Sequence, residues 1–329
     1  MAHSMKTAFV TGATGFIGQH VVEQLTAAGY RVVVFHRASS NTSRLAKWSP
    51  TLASGSLESV DSIAAAIPEG CDALFHVAAN TSQWRGDRAL LERDNVLATR
   101  NVVEAALKRG VQRFVATSSE SAWGEPARQP LDETVPQRGA ESWVDYERTK
   151  YLAELEVMKG VERGLAAVIV NPAHVLGRYD ENSWGRTFRL LRDGKIPGAP
   201  PGSGSWAWGE QVAKAHLAAA EKGRVGERYL LGGPQMTYVE LFAEIARLLG
   251  KKPVPALPGF ALRAFAQVQQ LVSRFTHRAP DVTPEIAYIG CEHRAVRSDK
   301  AIRELGYATV PVEFMLKDCY DWLVAEGRI

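Results

Sequence analysis

The sequence is poor in the features that mark secreted, metal-binding and membrane-spanning proteins. Its three cysteines, Cys71, Cys291 and Cys319, lie far apart in 329 residues with no CxxC pair, which argues against a zinc site or disulfide framework and suits the cytoplasm. The formal charge is only +3 and the basic residues are scattered, so no footprint for a nucleic-acid backbone is visible. No stretch approaches the roughly 20 apolar residues of a membrane span. The apolar run after Lys6 is broken too early, by Gly12, to form a signal-peptide core, and Met1 to Ser4 reads as an addition ahead of Met5. One segment, Pro258 to Phe275, is amphipathic, but Arg263 and Gln267 to Gln270 interrupt it. It is expected to pack as a helix on a second lobe, with no membrane contact.

Between residues 6 and 175, short β-branched runs alternate with longer helical patterns, which predicts an α/β chain with a doubly wound parallel sheet, a Rossmann fold. Strands are expected at 6–11, 31–36, 73–77, 112–117 and 166–170, with a weaker one at 50–55. Helices are expected at 15–28, 57–67, 87–109 and 143–163. Beyond Gly177 the order breaks. Residues 192–209 read as an irregular segment rich in Gly, Pro, Ser and Trp, followed by a helix at 210–222, a strand at 228–231 and helices near 237–249, 259–275 and 312–326. The dinucleotide-binding lobe is thus expected over 1–177 with a return at about 205–232, and a smaller, interleaved substrate lobe over most of 178–329.

The first strand runs into Thr11-Gly12-Ala13-Thr14-Gly15-Phe16-Ile17-Gly18. Gly12 suits the tight turn, Gly15 lets backbone N–H groups approach a pyrophosphate, and Gly18 lets the helix sit close to the strand. The pyrophosphate would rest at the positive end of the helix. The second strand ends at His36 without the carboxylate that accepts the ribose hydroxyls of NAD. Arg37 follows, with Ser39 and Ser40 close by, a set that suits a 2′-phosphate. NADP(H) is therefore favoured, with NAD(H) as the alternative.

Tyr146 and Lys150 stand at i and i+4, so both project from one helix face. Reducing a carbonyl requires a proton for the nascent alkoxide as hydride arrives. The Lys150 cation is expected to lower the phenol pKa toward the working range and to bind the nicotinamide ribose. Ser119 lies in Thr117-Ser118-Ser119-Glu120, at the carboxyl end of a central strand, where it can donate to the substrate oxygen beside Tyr146.

These residues resemble a known family. TGATGFIG, HVAAN at 76–80, the Asn95 helix, TSSESAWG at 117–124, YERTK at 146–150 and VNPAHVLG at 170–177 are similar, in order, to the motifs of extended short-chain dehydrogenase/reductases. Within these the chain looks like the dihydroflavonol 4-reductase group and its bacterial relatives, part of the epimerase/dehydratase family. The resemblance implies that Ser119, Tyr146 and Lys150 are catalytic. It also implies that Phe16, Ile17, Ser56, Leu57, Val77, Ala78, Ala79, Asn95, Thr117, Pro172 and Val175 line the cofactor, and that two copies pair through 87–109 and 143–163. Ser56, Trp123 and Glu210 depart from the usual aspartate, tyrosine and aspartate of the family.

The segment Gly204 to Glu210 lacks the arginine that meets the diphosphate of nucleotide sugars, although Arg178, Arg186 and Arg189 remain as possible phosphate ligands. Trp84, Trp123, Trp184, Trp206 and Trp208, with His174, could form a flat apolar pocket, with Asn80, Glu120 and Asn171 beside it. A small-molecule ketone or aldehyde is the expected substrate. A nucleotide-sugar epimerase or dehydratase with bound NAD is the enzymatic alternative, and a non-catalytic redox sensor is a further one.

Overall fold

The computed structural model describes residues 5–124, 130–276 and 278–329. Thr7–Thr11 (β1) is buried at every position and pairs in parallel with Arg31–His36 (β2) on one side and Ala73–His76 (β4) on the other. Thr51–Ser54 (β3) extends the sheet beyond β2. Arg113–Thr117 (β5), Ala167–Pro172 (β6) and Arg228–Leu231 (β9) extend it beyond β4, giving seven parallel strands in the order β3-β2-β1-β4-β5-β6-β9. The chain leaves β1 in one direction and returns on its other side at β4. The resulting crevice at the strands' carboxyl ends is where such sheets bind ligands.

Successive strand residues point to opposite faces, so one strand serves two cores. Ala8 and Val10 pack against Phe16–Ala27 (α1) and Gly209–Lys222 (α7), whereas Phe9 packs against Val60–Ala66 (α2), Ala98–Lys108 (α4) and Asp145–Glu162 (α5). Arg113 ties β5 to the end of α7, donating to the carbonyls of Ala219 and Ala220, each at 2.9 Å. Such cations satisfy carbonyls that a helix end leaves open.

A second sheet of three strands has the order Gln235–Thr237 (β10), Ser203–Trp208 (β8), His174–Leu176 (β7). Its core is shared with Trp184–Arg192 (α6), Tyr238–Leu248 (α8) and Val312–Ala325 (α12). Gly259–Thr276 (α9) packs on Pro284–Ile289 (α10), and Asp299–Leu305 (α11) lies beside α7.

Three expectations need correction. The helix expected over 87–109 is divided: Arg88–Leu91 (α3) passes into a π-helical turn, Glu92–Leu97, before α4. The wider turn carries the Asn95 side chain inward, and Thr99 Oγ1 donates to the Asn95 carbonyl at 2.6 Å; π turns of this kind gather at functional sites. The segment 192–209 contains β8, whose composition hides it but whose central residues are all buried. The α9 helix does pack, but only through Leu262, Ala266 and Ser273, leaving its larger apolar side chains in solvent.

Candidate active site

The glycine loop closes the crevice. Gly12 takes φ +72°, and a Cβ there would lie 2.4 Å from the Ala78 backbone nitrogen. Only glycine permits both the turn and that approach. A Cβ on Gly18 would lie 2.0 Å from the Gly12 carbonyl oxygen, so its absence lets α1 settle against the loop. Gly15 caps α1 without a side-chain bond, and no acid stands in the first turn. The open N–H groups of Phe16 and Ile17 and the dipole of a 12-residue helix are free for an anion, with Thr14 in the turn before them. These features fit a dinucleotide pyrophosphate.

Most of the remaining expected cofactor residues lie at or just beyond the carboxyl ends of β2 to β6. Val77 donates its backbone N–H to the Thr11 carbonyl at 3.2 Å, and the Ala78 N–H approaches Thr11 Oγ1 at 3.4 Å. Ala79 follows in the same loop. Thr11 Oγ1 in turn bonds His76 Nδ1 at 2.8 Å, while His76 Nε2 meets Thr99 Oγ1 at 3.0 Å. Burial pushes this histidine down to about 3, so it is neutral and bridges β1 to α4. At the end of β2, Arg37 and Ser39 are exposed and Ser40 is half-buried. The Ser40 N–H closes a turn on the Arg37 carbonyl at 2.9 Å, and Arg37 has no ion pair among the described residues. Ser56 and Leu57 follow β3, where Ser56 Oγ accepts from the Glu58 N–H at 3.1 Å. Pro172 ends β6 and Val175 sits in β7.

Lys150 is buried beneath the crevice, with Nζ donating to the Thr117 carbonyl at 2.9 Å. Thr117 Oγ1 is itself held by His216 Nε2 at 2.7 Å. Burial lowers the Lys150 pKa to about 8, against the opposing pull of Glu154. Tyr146 moves the other way: burial pushes its phenol up to about 12, opposed by a hydrogen bond with the Ser119 side chain and reinforced by the Glu120 and Glu147 carboxylates. Whatever lowering the Lys150 cation supplies is outweighed here. Desolvation is the dominant influence here, and it keeps the phenol protonated.

Ser119 is fixed from two sides. Its Oγ accepts from the Ser121 N–H at 3.1 Å, and its carbonyl accepts from Asn171 Nδ2 at 3.0 Å. Asn171 is fully buried and also donates to Glu154 Oε1 at 2.6 Å, so it supports the serine from beneath and is not a substrate contact. Asn95 needs the same correction, whereas half-buried Asn80 is only partly engaged. The Asn80 amide is taken by Asp94 at 3.0 Å and the Ser82 N–H at 3.0 Å. Asn95 accepts from the Asn80 N–H at 2.7 Å and donates to Thr149 at 3.1 Å, clamping the loop after β4 to α5 with no group left for a cofactor.

The tryptophans do not form one open pocket. Trp206 and Trp123 are core residues, and Trp208 Nε1 donates to Asp318 at 2.8 Å, turned toward α12. Trp184, Trp206, His174 and Tyr238 pack on one another, with Tyr238 Oη and His174 Nε2 at 3.0 Å. Burial lowers His174 to about 4, which removes it as an acid near neutrality. Trp84 remains half-buried in the loop after β4, its indole N–H without a partner. The phosphate candidates are also occupied: Arg178 by Glu23 at 2.7 Å and Glu210 at 2.9 Å, Arg186 by Asp281 at 2.9 Å, Arg189 by the Glu181 carbonyl at 2.6 Å.

Glu120 neither faces solvent nor stands free. It is buried with Glu147 around Arg294, joined by the half-buried Glu292, at 3.4, 2.5 and 2.9 Å for Glu120, Glu147 and Glu292 respectively. Burial raises the Glu147 and Glu292 pKa values. Neither Arg294 nor Glu154 is apparent from sequence. Glu154 had one local signal, its place four residues after Lys150 on α5. Arg294 had none.

Residues 8–232 match the model of the NAD dependent epimerase/dehydratase family. A Synechocystis sp. protein named provisionally as a dihydroflavonol 4-reductase is 31% identical, covering 98% of this chain and 95% of its own. A Stigmatella aurantiaca protein, 4-hydroxy-2-methyl-3-oxo-4-farnesyl-3,4-dihydroquinoline-1-oxide ketoreductase, is 32% identical over 91% of both chains. The crystal structure of gox2253 superposes with a TM-score of 0.86 at 33% identity, covering 98% of this chain and 99% of the other. With its motifs seated at the carboxyl ends of a parallel sheet, the chain belongs to the NAD-dependent epimerase/dehydratase family of extended short-chain dehydrogenase/reductases, enzymes that bind a nicotinamide dinucleotide.

Proposed function

We propose that the protein reduces a ketone or aldehyde at the expense of NADPH. The observation that carries this reading is the Tyr146 phenol in hydrogen-bonding reach of Ser119, on the same helix that buries Lys150 against the Thr117 carbonyl. The bound dinucleotide supplies a hydride to the carbonyl carbon. Ser119 donates a hydrogen bond to the carbonyl oxygen and fixes its position, and Tyr146 Oη gives that oxygen its proton, yielding an alcohol. Lys150, anchored on Thr117, offers its remaining N–H groups to ribose hydroxyls. Its positive charge stabilises the tyrosinate left behind. The names of the two relatives, both reductases, support this direction of chemistry. Arg37, exposed and unpaired at the end of β2, supports a 2′-phosphate and therefore NADPH over NADH.

The same reading places the enzyme in the cytoplasm and pairs two copies through α4 and α5, a state that sedimentation velocity would register. A panel of ketones and aldehydes followed by NADPH absorbance tests the reaction. Net NADPH consumption that disappears in Tyr146→Phe is expected. Turnover unaffected by that substitution would overturn the assignment, as would conversion of a nucleotide sugar without net cofactor consumption.

A further inference from the structure

We propose that the exposed face of α9 docks on a lipid bilayer surface that carries anionic headgroups. Of its 18 residues, only Leu262, Ala266 and Ser273 are buried. At ~100° per residue these fall within a strip about 40° wide. On the other side Phe260, Phe265, Val268, Leu271, Val272 and Phe275 fall within an arc of about 140°, and all of them are exposed. Phe260 and Phe275 are 79% and 80% exposed, and Val268 61%. Apolar residues scattered singly over a surface are ordinary. Six large ones on one face of one helix form the kind of contiguous patch that marks an interaction surface.

Charge identifies the partner. From Ile245 to Pro280 the chain contains Arg247, Lys251, Lys252, Arg263, Arg274 and Arg278 and not a single Asp or Glu. Arg247 pairs with Glu244 just ahead of this stretch. The other five are exposed and have no ion pair among the described residues. Arg263 and Arg274 lie along one edge of the apolar arc, separated from Phe260 only by Gln267 on the helical wheel. A helix with an aromatic and aliphatic face bordered by unpaired cations matches segments that lie in the plane of a membrane interface. Anionic lipid phosphates would supply the missing countercharge. A second copy brought face to face would add further cations and no carboxylate from this stretch.

The position of the helix gives the contact a consequence. Its neighbour α10 is fastened to the loop after β4, where Thr283 Oγ1 donates to the Gln83 carbonyl at 2.7 Å and Arg85 Nε donates to Glu285 at 2.9 Å. That loop begins at the carboxyl end of β4, on the ligand side of the sheet, and carries Trp84. A docked α9 therefore sets the substrate side of the enzyme beside the bilayer. This last step rests on the proposed reductase reading, whereas the docking itself does not.

Co-sedimentation of the full chain with vesicles tests the proposal. Binding to phosphatidylcholine mixed with phosphatidylglycerol is expected, and roughly tenfold weaker binding to phosphatidylcholine alone or in high salt. Phe260→Ser/Val268→Ser/Phe275→Ser should weaken binding by at least roughly tenfold, with NADPH binding and melting temperature unchanged. Arg263→Gln/Arg274→Gln should reduce the preference for anionic vesicles. The proposal is overturned if the folded parent stays in the supernatant with both vesicle types, or if the triple-serine variant binds as well as the parent. It is equally overturned if the triple variant turns a dimer into a monomer while the parent ignores vesicles, because a second copy would then cover the face.

Discussion

Arg294 Nη2 donates to Glu147 Oε1 at 2.5 Å, joining the segment after α10 to the residue that follows Tyr146 on the catalytic helix. The other Glu147 oxygen accepts from Ser142 Oγ at 2.6 Å, so the start of α5 is gripped at both ends of one carboxylate. Since Glu120 and Glu292 share the same guanidinium, Arg294 is the cation that keeps two buried acids and a half-buried one compatible near the phenol.

Replacing Arg294 by methionine leaves those acids without a countercharge and is expected to cost about 3–5 kcal/mol of stability. Urea denaturation would measure it. Adding Glu147→Gln should restore part of the loss, since one buried charge is then removed. A loss below about 1 kcal/mol, the scale of an exposed pair, would show that the cluster is solvated and not structural.

The two opposed shifts at Tyr146 and Lys150 set a pH profile. Tyr146, raised to about 12, stays protonated throughout the neutral range. Lys150, lowered to about 8, loses its charge as pH rises through that value. With a carbonyl substrate in hand, kcat/KM for reduction should therefore be flat below pH 7 and decline above about pH 8. A profile flat through pH 10 would mean that the Lys150 cation has no part in the reaction.

Three buried histidines and the half-buried His174 predict acid sensitivity. Burial depresses His20 and His76 to about 3 and His174 and His216 to about 4, below the usual ~6.5 of the unfolded chain. As pH falls from 6.5, the unfolded state binds protons first, so folding stability decreases down to about pH 4. Asp180, raised by burial to about 6, opposes this by taking up a proton in the folded state. Glu133, Glu147 and Glu292, also raised by burial, act in the same direction as Asp180, but the four imidazoles are displaced over a wider pH span, so a net loss of several kcal/mol is expected, at ~1.4 kcal/mol per pKa unit. Denaturant midpoints that do not fall between pH 7 and 5 would refute this.

Arg37→Asp should lower kcat/KM for NADPH by roughly ten- to a hundredfold, the range expected for losing a charged hydrogen bond, while that for NADH holds or improves. Equal losses with both cofactors would instead show that Arg37 does not read the 2′ position.

The main elements of the parallel sheet were legible because their causes are local. Continuous β-branched runs can be buried on both faces, and even β3, the weakest candidate, appears where its run occurs. β8 escaped notice because Gly, Ser and Trp make up a strand that is buried by its neighbours and not by its own apolarity. Two asparagines misled for a related reason: residue type shows what Asn95 and Asn171 can bind, but not that nearby protein groups bind them first.

The sequence by itself determined the glycine turn and the i, i+4 spacing of Tyr146 and Lys150, since steric freedom at Gly12 and the pitch of α5 depend on a few consecutive residues. Only the tertiary structure decided the electrostatics around them. Glu147 and Arg294 are 147 residues apart, and the burial that raises the phenol and lowers the lysine is produced by packing among elements distant in the chain. It likewise decided that α9 would turn its aromatic face outward, because which side of an amphipathic helix is covered depends on what lies next to it.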